Sequence, residues 1–247
     1  TLAEIAVTET IVNTINLTPL KQESLNKLVC DTLNCSEEIV QPLTQLIYQK
    51  TQGNPFFSMQ FLKALYEDSL IKFDFDEGLW VCNIAEARNL ALTDDIVEFM
   101  ALQLQKLPES TQNILKLAAC IGNKFDLSTL AIVCQKSEAE TATNLWKALQ
   151  LGLILPQGEV YKFYLEEEIQ TNLQPEQVAN YRFLHDRVQQ AAYYLIPESQ
   201  KQATHLKIGQ LLLQQISLEA RENRIFEIVN QLNYGKDLII EKKQRTE

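Results

Sequence analysis

The 247 residues are 46% apolar and 22% charged, an ordinary soluble composition that can bury one large core or two modest ones without disulfides. With 22 Lys and Arg against 32 Asp and Glu, the formal charge of −10 argues against a nonspecific grip on nucleic acid or on an anionic membrane surface. The five cysteines, Cys30, Cys35, Cys82, Cys120 and Cys134, are odd in number and show no C-x-x-C spacing, which points to reduced, buried thiols of a cytoplasmic protein and away from a zinc site.

In chain order, residues 1–18 read as a short helix and then a strand, Ile11–Leu17, whose β-branched alternation suits the last strand of a sheet lying upstream. Two amphipathic helices follow. Leu25, Leu28, Val29 and Leu33 mark the face of one; Ile39, Leu43, Leu46 and Ile47 mark the other, after the cap candidate Ser36. Gly53 stops the second helix and Pro55 opens the next, with glycine suited to a left-handed helix end and proline to a first turn. Phe57, Phe61 and Leu65 then share one helical face. The plain reading of this joint is a helix-turn-helix corner with core aromatics; the functional one is a proline presented to a flat ligand. Leu70–Phe73 and Leu79–Cys82 flank a turn near Gly78 and read as a β-hairpin. Thr93 is the cap candidate for a helix carrying Ile96, Val97, Met100, Leu104 and Leu107, with Asp94, Asp95 and Glu98 in its first turn.

Three helices are expected after Pro108, over about 109–121, 127–134 and 138–151, the second following Asp126 and the third opening with the capping box Ser137-x-x-Glu140. Leu153–Pro156, Val160–Tyr164 and Tyr181–Leu184 supply three short strands, and three helices followed by a small sheet is the order of a winged helix. Such a fold raises the question of DNA. Over residues 109–184 the charges answer it: six Lys and Arg against nine Asp and Glu give 6 − 9 = −3, and the third helix carries Glu138 and Glu140 against Lys147 alone. A phosphate backbone is repelled by that face, so no nucleic-acid partner is expected. Beyond residue 185 the chain turns wholly helical, over about 185–195, 198–217 and 221–234, as the start of a helical-repeat array would.

His185 stands where the last strand hands over to a helix. There the first backbone amides lack helical partners and the dipole favours anions, so the pair His185-Asp186 either senses a phosphate or caps the turn. The other histidine, His205, lies on what reads as a plain helix. The seven glycines allow neither G-x-x-x-x-G-K-S/T nor G-x-G-x-x-G, and H-E-x-x-H and G-x-S-x-G are also lacking from the sequence. No catalytic or metal-binding residues are therefore assigned. No run of about eighteen apolar residues occurs, so no membrane partner is expected.

Three stretches together carry a family resemblance: Gly53-Asn54-Pro55-Phe56-Phe57, Leu107-Pro108 before Leu115–Gly122, and Arg182-Phe183-Leu184-His185-Asp186-Arg187. They resemble the STAND class of signal-transduction AAA+ ATPases, over nearly the whole chain. The nearest group is that of cyanobacterial multi-sensor signalling kinases, in which such an ATPase lies between Ser/Thr kinase-like and GAF and histidine-kinase domains. The resemblance implies a nucleotide site for ADP or ATP. The lid proline that packs near adenine matches Pro55, in the turn of Gly53; the histidine near the β-phosphate matches His185, with Asp186 beside it and Leu184 where plant disease-resistance proteins have methionine. The phosphate-loop lysine and the Mg-binding acids of that family belong to a core domain preceding Thr1.

The expected organisation is thus mainly α with small β elements (α+β). Residues 1–18 are the tail of an upstream nucleotide-binding core, 19–107 a helical lid with a β-hairpin, 108–196 a winged helix, and 197–247 the start of a tetratricopeptide-like helical-repeat region. The expected role is a regulatory arm that closes on bound nucleotide and relays a signal to flanking kinase and sensor domains, with the helical repeats open to protein partners. The alternatives are a helical interaction scaffold with no nucleotide role and, further off, a winged-helix DNA binder. The chain opens on Thr1 and closes on a polar Glu241–Glu247 stretch, and is expected to be a piece of something longer.

Overall fold

In the computed structural model, which describes residues 15–90, 95–164 and 178–239, the chain divides after position 94 into two units. Among the described residues it is mainly helical with two small antiparallel sheets, the α+β class expected from the sequence.

In the first unit, helix α1 (Gln22–Leu33) buries Leu25, Val29 and Leu33 against α2 (Glu37–Thr51), which buries Val40, Leu43, Leu46 and Ile47. The expected stripe on α2 needs one correction: Ile39 is exposed, and Val40, at helical spacing from Leu43 and Ile47, takes the core position. Ser36 occupies the cap position of α2 without a side-chain cap hydrogen bond. Helix α3 (Pro55–Glu67) buries Phe57, Phe61 and Leu65, as expected. Strands β1 (Ile71–Asp74) and β2 (Leu79–Cys82) pair antiparallel with Phe73 opposite Trp80, and Gly78 has the positive φ of 66° that the turn requires. Helix α4 (Ile84–Leu90) was not expected, although Asn83 announces it by accepting the Glu86 N–H at 3.2 Å. Most of the strand expected over Ile11–Leu17 lies outside the described residues. Its last three, from Ile15 to Leu17, belong to no strand, and the two strands of this unit's hairpin pair with each other.

The second unit opens with α5 (Ile96–Gln105). Thr93 and Asp94 lie outside the described residues; Asp95 caps the helix, its Oδ1 accepting the Val97 N–H at 2.8 Å. Then come α6 (Glu109–Ile121), β3 (Lys124–Asp126), α7 (Leu127–Cys134), α8 (Glu138–Gln150), β4 (Ile154–Gln157) and β5 (Asn180–Phe183). Asp126 caps α7 by accepting the Thr129 N–H at 2.7 Å, and Ser137 caps α8 by accepting the Glu140 N–H at 3.2 Å. The element order from α6 onward is helix-strand-helix-helix-strand-strand, with β5 between β3 and β4.

The expected strand over Val160–Tyr164 is a correction. Those residues form a 3₁₀ turn, and the third strand is the short Lys124–Asp126. Phe125 of β3 is buried and stacks on Tyr181 with ring centroids 5.8 Å apart, so its burial fixes the pairing. The 3₁₀ turn is tied instead to α8, where the Tyr164 hydroxyl donates to Glu138 Oε2 at 2.7 Å; burial, then that bond, pushes the Tyr164 phenol well up.

Helices α9 (Asp186–Tyr194), α10 (Glu198–Gln215) and α11 (Leu218–Tyr234) follow, and a 3₁₀ turn over Lys236–Leu238 comes after them. Helices α10 and α11 form an antiparallel pair that closes tightly at Gly209, where a Cβ would stand 2.7 Å from Leu232 Cδ2 and 3.1 Å from its backbone nitrogen. Cys120 of α6, Val133 of α7, Ile208 and Leu212 of α10 and Ile228 of α11 belong to one buried cluster, so the C-terminal helices share a core with α6 and α7. Burial pushes the Cys120 and Cys134 thiols to about 12 and the Cys82 thiol to about 11. Cys120 is buried, the other four cysteines are half-buried, and all five are free thiols.

Candidate functional site

Two of the four residues singled out from the sequence, Gly53 and Pro55, belong to the first unit; His185 and Asp186 belong to the second.

At the first joint, α2 ends in two consecutive left-handed residues, Gln52 (φ 51°) and Gly53 (φ 74°). Glycine at 53 is also a steric requirement, because a Cβ would stand 2.1 Å from the Leu20 carbonyl oxygen, and Leu20 N–H donates to Gly53 O at 2.8 Å. Asn54 then caps α3 through the Phe57 N–H, which leaves Pro55 at the first helical position, exposed on the surface. Beneath it, the Thr51 and Ser58 hydroxyls meet at 2.9 Å and also reach Ile47 O (2.8 Å) and Asn54 O (2.9 Å). Two hydroxyl protons serve two of these three contacts at a time. The joint is thus rigid beneath and presents a proline ring above.

At the second, β5 delivers Tyr181 and Phe183 to the core and His185 to the N-cap of α9. His185 Nδ1 accepts the Arg187 N–H at 3.2 Å, which places the proton of the neutral ring on Nε2. The His185 carbonyl takes the Val188 N–H at 2.9 Å and the Gln189 N–H at 3.4 Å. This corrects the expectation of partnerless amides: three of the first four of α9 are engaged by His185 itself. Asp186 is exposed and held by Asn123, whose Nδ2 donates to Asp186 Oδ1 at 2.7 Å, while Gln189 Nε2 donates to Ala119 O at 3.0 Å. Those bonds fasten the junction to the end of α6. The groups near the junction in sequence are the His185 ring, Arg187, which donates to Gln190 Oε1 at 3.0 Å, and Arg182, which stands directly opposite Lys124 across β5 and β3. Asp186 opposes an anion there, so the fit to a phosphate is partial.

Sequence reasoning missed His205. It is 4% exposed, and its Nδ1 lies 2.6 Å from Gln231 Oε1 while Gln231 Nε2 donates to Cys120 O at 2.8 Å. Since Gln231 accepts on its oxygen, His205 carries its proton on Nδ1, and Nε2 accepts from the Tyr193 hydroxyl at 3.0 Å. Tyr234 stacks on the ring at 4.4 Å and 17°, and Lys201 Nζ sits 4.8 Å over the Tyr193 ring. Burial, more than the neighbouring Cys120, Tyr234 and Glu198, pushes the Tyr193 phenol up. This chain of bonds joins α6, α9, α10 and α11 and is satisfied internally, so it is a structural network.

Among the described residues there is no group of three or more His, Cys, Asp or Glu placed to hold a metal, and no helix long and apolar enough to cross a membrane.

No family model matches the chain. It is similar to peroxide stress-activated histidine kinase mak3 of Schizosaccharomyces pombe, 27% identical over 150 residues that take in 58% of this chain and 6% of the relative. It is also similar to hybrid signal transduction histidine kinase G of Dictyostelium discoideum, 31% identical over 269 residues that take in 94% of this chain and 8% of the relative. The chain therefore spans less than a tenth of either relative's length, and what it resembles is one segment within signal-transduction histidine kinases.

Proposed function

We propose that this chain is a regulatory arm of a multidomain signal-transduction kinase, a helical lid and winged helix of the STAND type that closes on ADP or ATP held by an upstream core and relays its state to flanking kinase and sensor domains. The observation that carries the signalling part is the likeness, over 94% of the chain, to one segment of a hybrid histidine kinase. The nucleotide part is supported by the exposed Pro55 at a rigid joint and by the Nε2 proton of His185, a donor of the kind that reaches a phosphate oxygen. Magnesium and the remaining phosphate ligands belong to the upstream core. Such a switch needs two states that hold the nucleotide differently, and a single donor on a moving arm supplies a difference of that kind.

The test uses the intact parent. His185→Asn keeps an acceptor for the Arg187 N–H and removes the ring donor. A hydrogen bond to a charged phosphate is worth roughly 1.5–3 kcal/mol, so ADP should leave about tenfold faster or more while the melting temperature holds. Unaltered ADP release sinks the nucleotide reading. The second reading, an interaction scaffold, is favoured by an exposed apolar strip on α11, Ile225, Phe226 and Val229, which its own unit leaves uncovered.

A further inference from the structure

The hairpin of the first unit carries an aromatic surface that the nucleotide reading does not use. Along one face of β1 exposure climbs from 3% at Ile71 to 38% at Phe73, and Phe75 just past the strand is 87% exposed. The face that starts in the core therefore runs out into solvent. Tyr66, Trp80, Phe73 and Phe75 form an edge-to-face chain with successive centroid distances of 6.0, 5.5 and 5.1 Å. The turn beyond Phe73 is pinned, because Asp74 Oδ1 accepts the Asp76 N–H at 2.9 Å and the Glu77 N–H at 3.1 Å. A rigid tip holding a large ring in water loses apolar free energy unless something covers it.

The charges around it select the cover. Residues 63–78 hold five carboxylates (Glu67, Asp68, Asp74, Asp76 and Glu77) against Lys63 and Lys72, so 2 − 5 = −3, and Lys63 already faces Glu67 at 3.8 Å. An anionic membrane or a nucleic acid is repelled by that rim, and a second copy would bring the same negative rim against itself. Apolar side chains flanked by Lys or Arg meet both the rings and the carboxylates, and cations gain further on aromatic faces. The geometry points to a docking surface on this hairpin for a basic amphipathic helix of a protein partner, with Phe75 as the central anchor and Asp76 and Glu77 as the charge selectors.

The test uses the whole 247-residue chain, with Trp146→Phe so that Trp80 is the fluorescent reporter. The probe is a synthetic amphipathic Leu/Lys helix, with a Leu/Glu helix of the same apolar pattern as control. The Leu/Lys helix should shift Trp80 emission saturably and the Leu/Glu helix should not. Phe75→Ala, which removes no core contact, should weaken binding about tenfold or more with the circular dichroism unchanged. Asp76→Asn with Glu77→Gln should weaken it several-fold at low salt and much less at high salt. Equal binding of both peptides, no binding of the Leu/Lys helix, indifference to Phe75→Ala, Trp80 quenching by phosphatidylserine vesicles, or a sedimenting dimer dissolved by Phe75→Ala would each overturn the proposal.

Discussion

The two histidines of the second unit divide the work in an order opposite to their prominence in the sequence. His185 stands at an obvious strand-to-helix junction, half-exposed, where it caps α9 through one side-chain bond and its own carbonyl. His205 lies in the middle of a long helix, buried, with both ring nitrogens bonded and an aromatic ring stacked on its face. A cap at the surface competes with water for its hydrogen bond; a buried ring cannot be replaced by water, so its partners are left unpaired when it goes. The difference separates a cap at a half-exposed junction from a buried ring whose bonds hold four helices together.

The largest effect that sharpens this contrast is expected from His205→Ala. It strands the Gln231 oxygen and the Tyr193 hydroxyl and removes the ring under Tyr234, for a loss of about 2–4 kcal/mol in the urea unfolding of the second unit, read by Trp146 fluorescence. A loss smaller than that of His185→Ala in the same assay breaks the comparison. Gln231→Leu should cost about 1–3 kcal/mol, because it leaves the buried His205 Nδ1–H and the Cys120 carbonyl without partners while keeping most of the side-chain volume.

Tyr193→Phe should cost about 1 kcal/mol near neutral pH, and the gap should narrow with alkali. The folded phenol is raised, so its stabilising contribution is full below the ordinary tyrosine value near 10 and is lost as the pH rises toward the folded value. The phenylalanine variant lacks that loss, so paired melting curves at pH 8 and pH 11 should converge. The smallest effect is expected from His185→Ala, about 0.5 kcal/mol at this half-exposed cap, recovered by His185→Asn. Amide exchange at Arg187 should report it, accelerating in the alanine variant and returning in the asparagine one.

The elements that were legible in the sequence are those fixed by neighbours along the chain. Asp126 and Ser137 cap the helices that follow them, Gly53 and Pro55 end one helix and begin another, and the hairpin falls where two apolar runs flank a turn with Gly78 beside it. Asn83 belongs to the same class and was readable, since an asparagine before Ile-Ala-Glu is a helix start. The run of three helices after Pro108 was legible for the same reason, but one of the strands of the sheet beside them was not. Lys124–Asp126 is three residues long, too short to show alternation, whereas Val160–Tyr164 is rich in the β-branched and aromatic residues of strands and yet forms a turn. Burial of Phe125 beside Tyr181 decided between them, and that is a contact between segments far apart in sequence.

The sequence by itself determined the helical class, the joints and the position of both histidines, because caps, turns and apolar periodicity act within a few residues. Tertiary structure alone decided what the histidines do. Three of the first four amides of α9 are engaged only because His185 turns its own ring and carbonyl onto them. His205 is bound into a network whose Gln231 lies 26 residues on and reaches a carbonyl 111 residues before it. Packing at Gly209 brings those helices close enough for the bonds to form, and no local pattern encodes a distance between segments that meet only when the core closes.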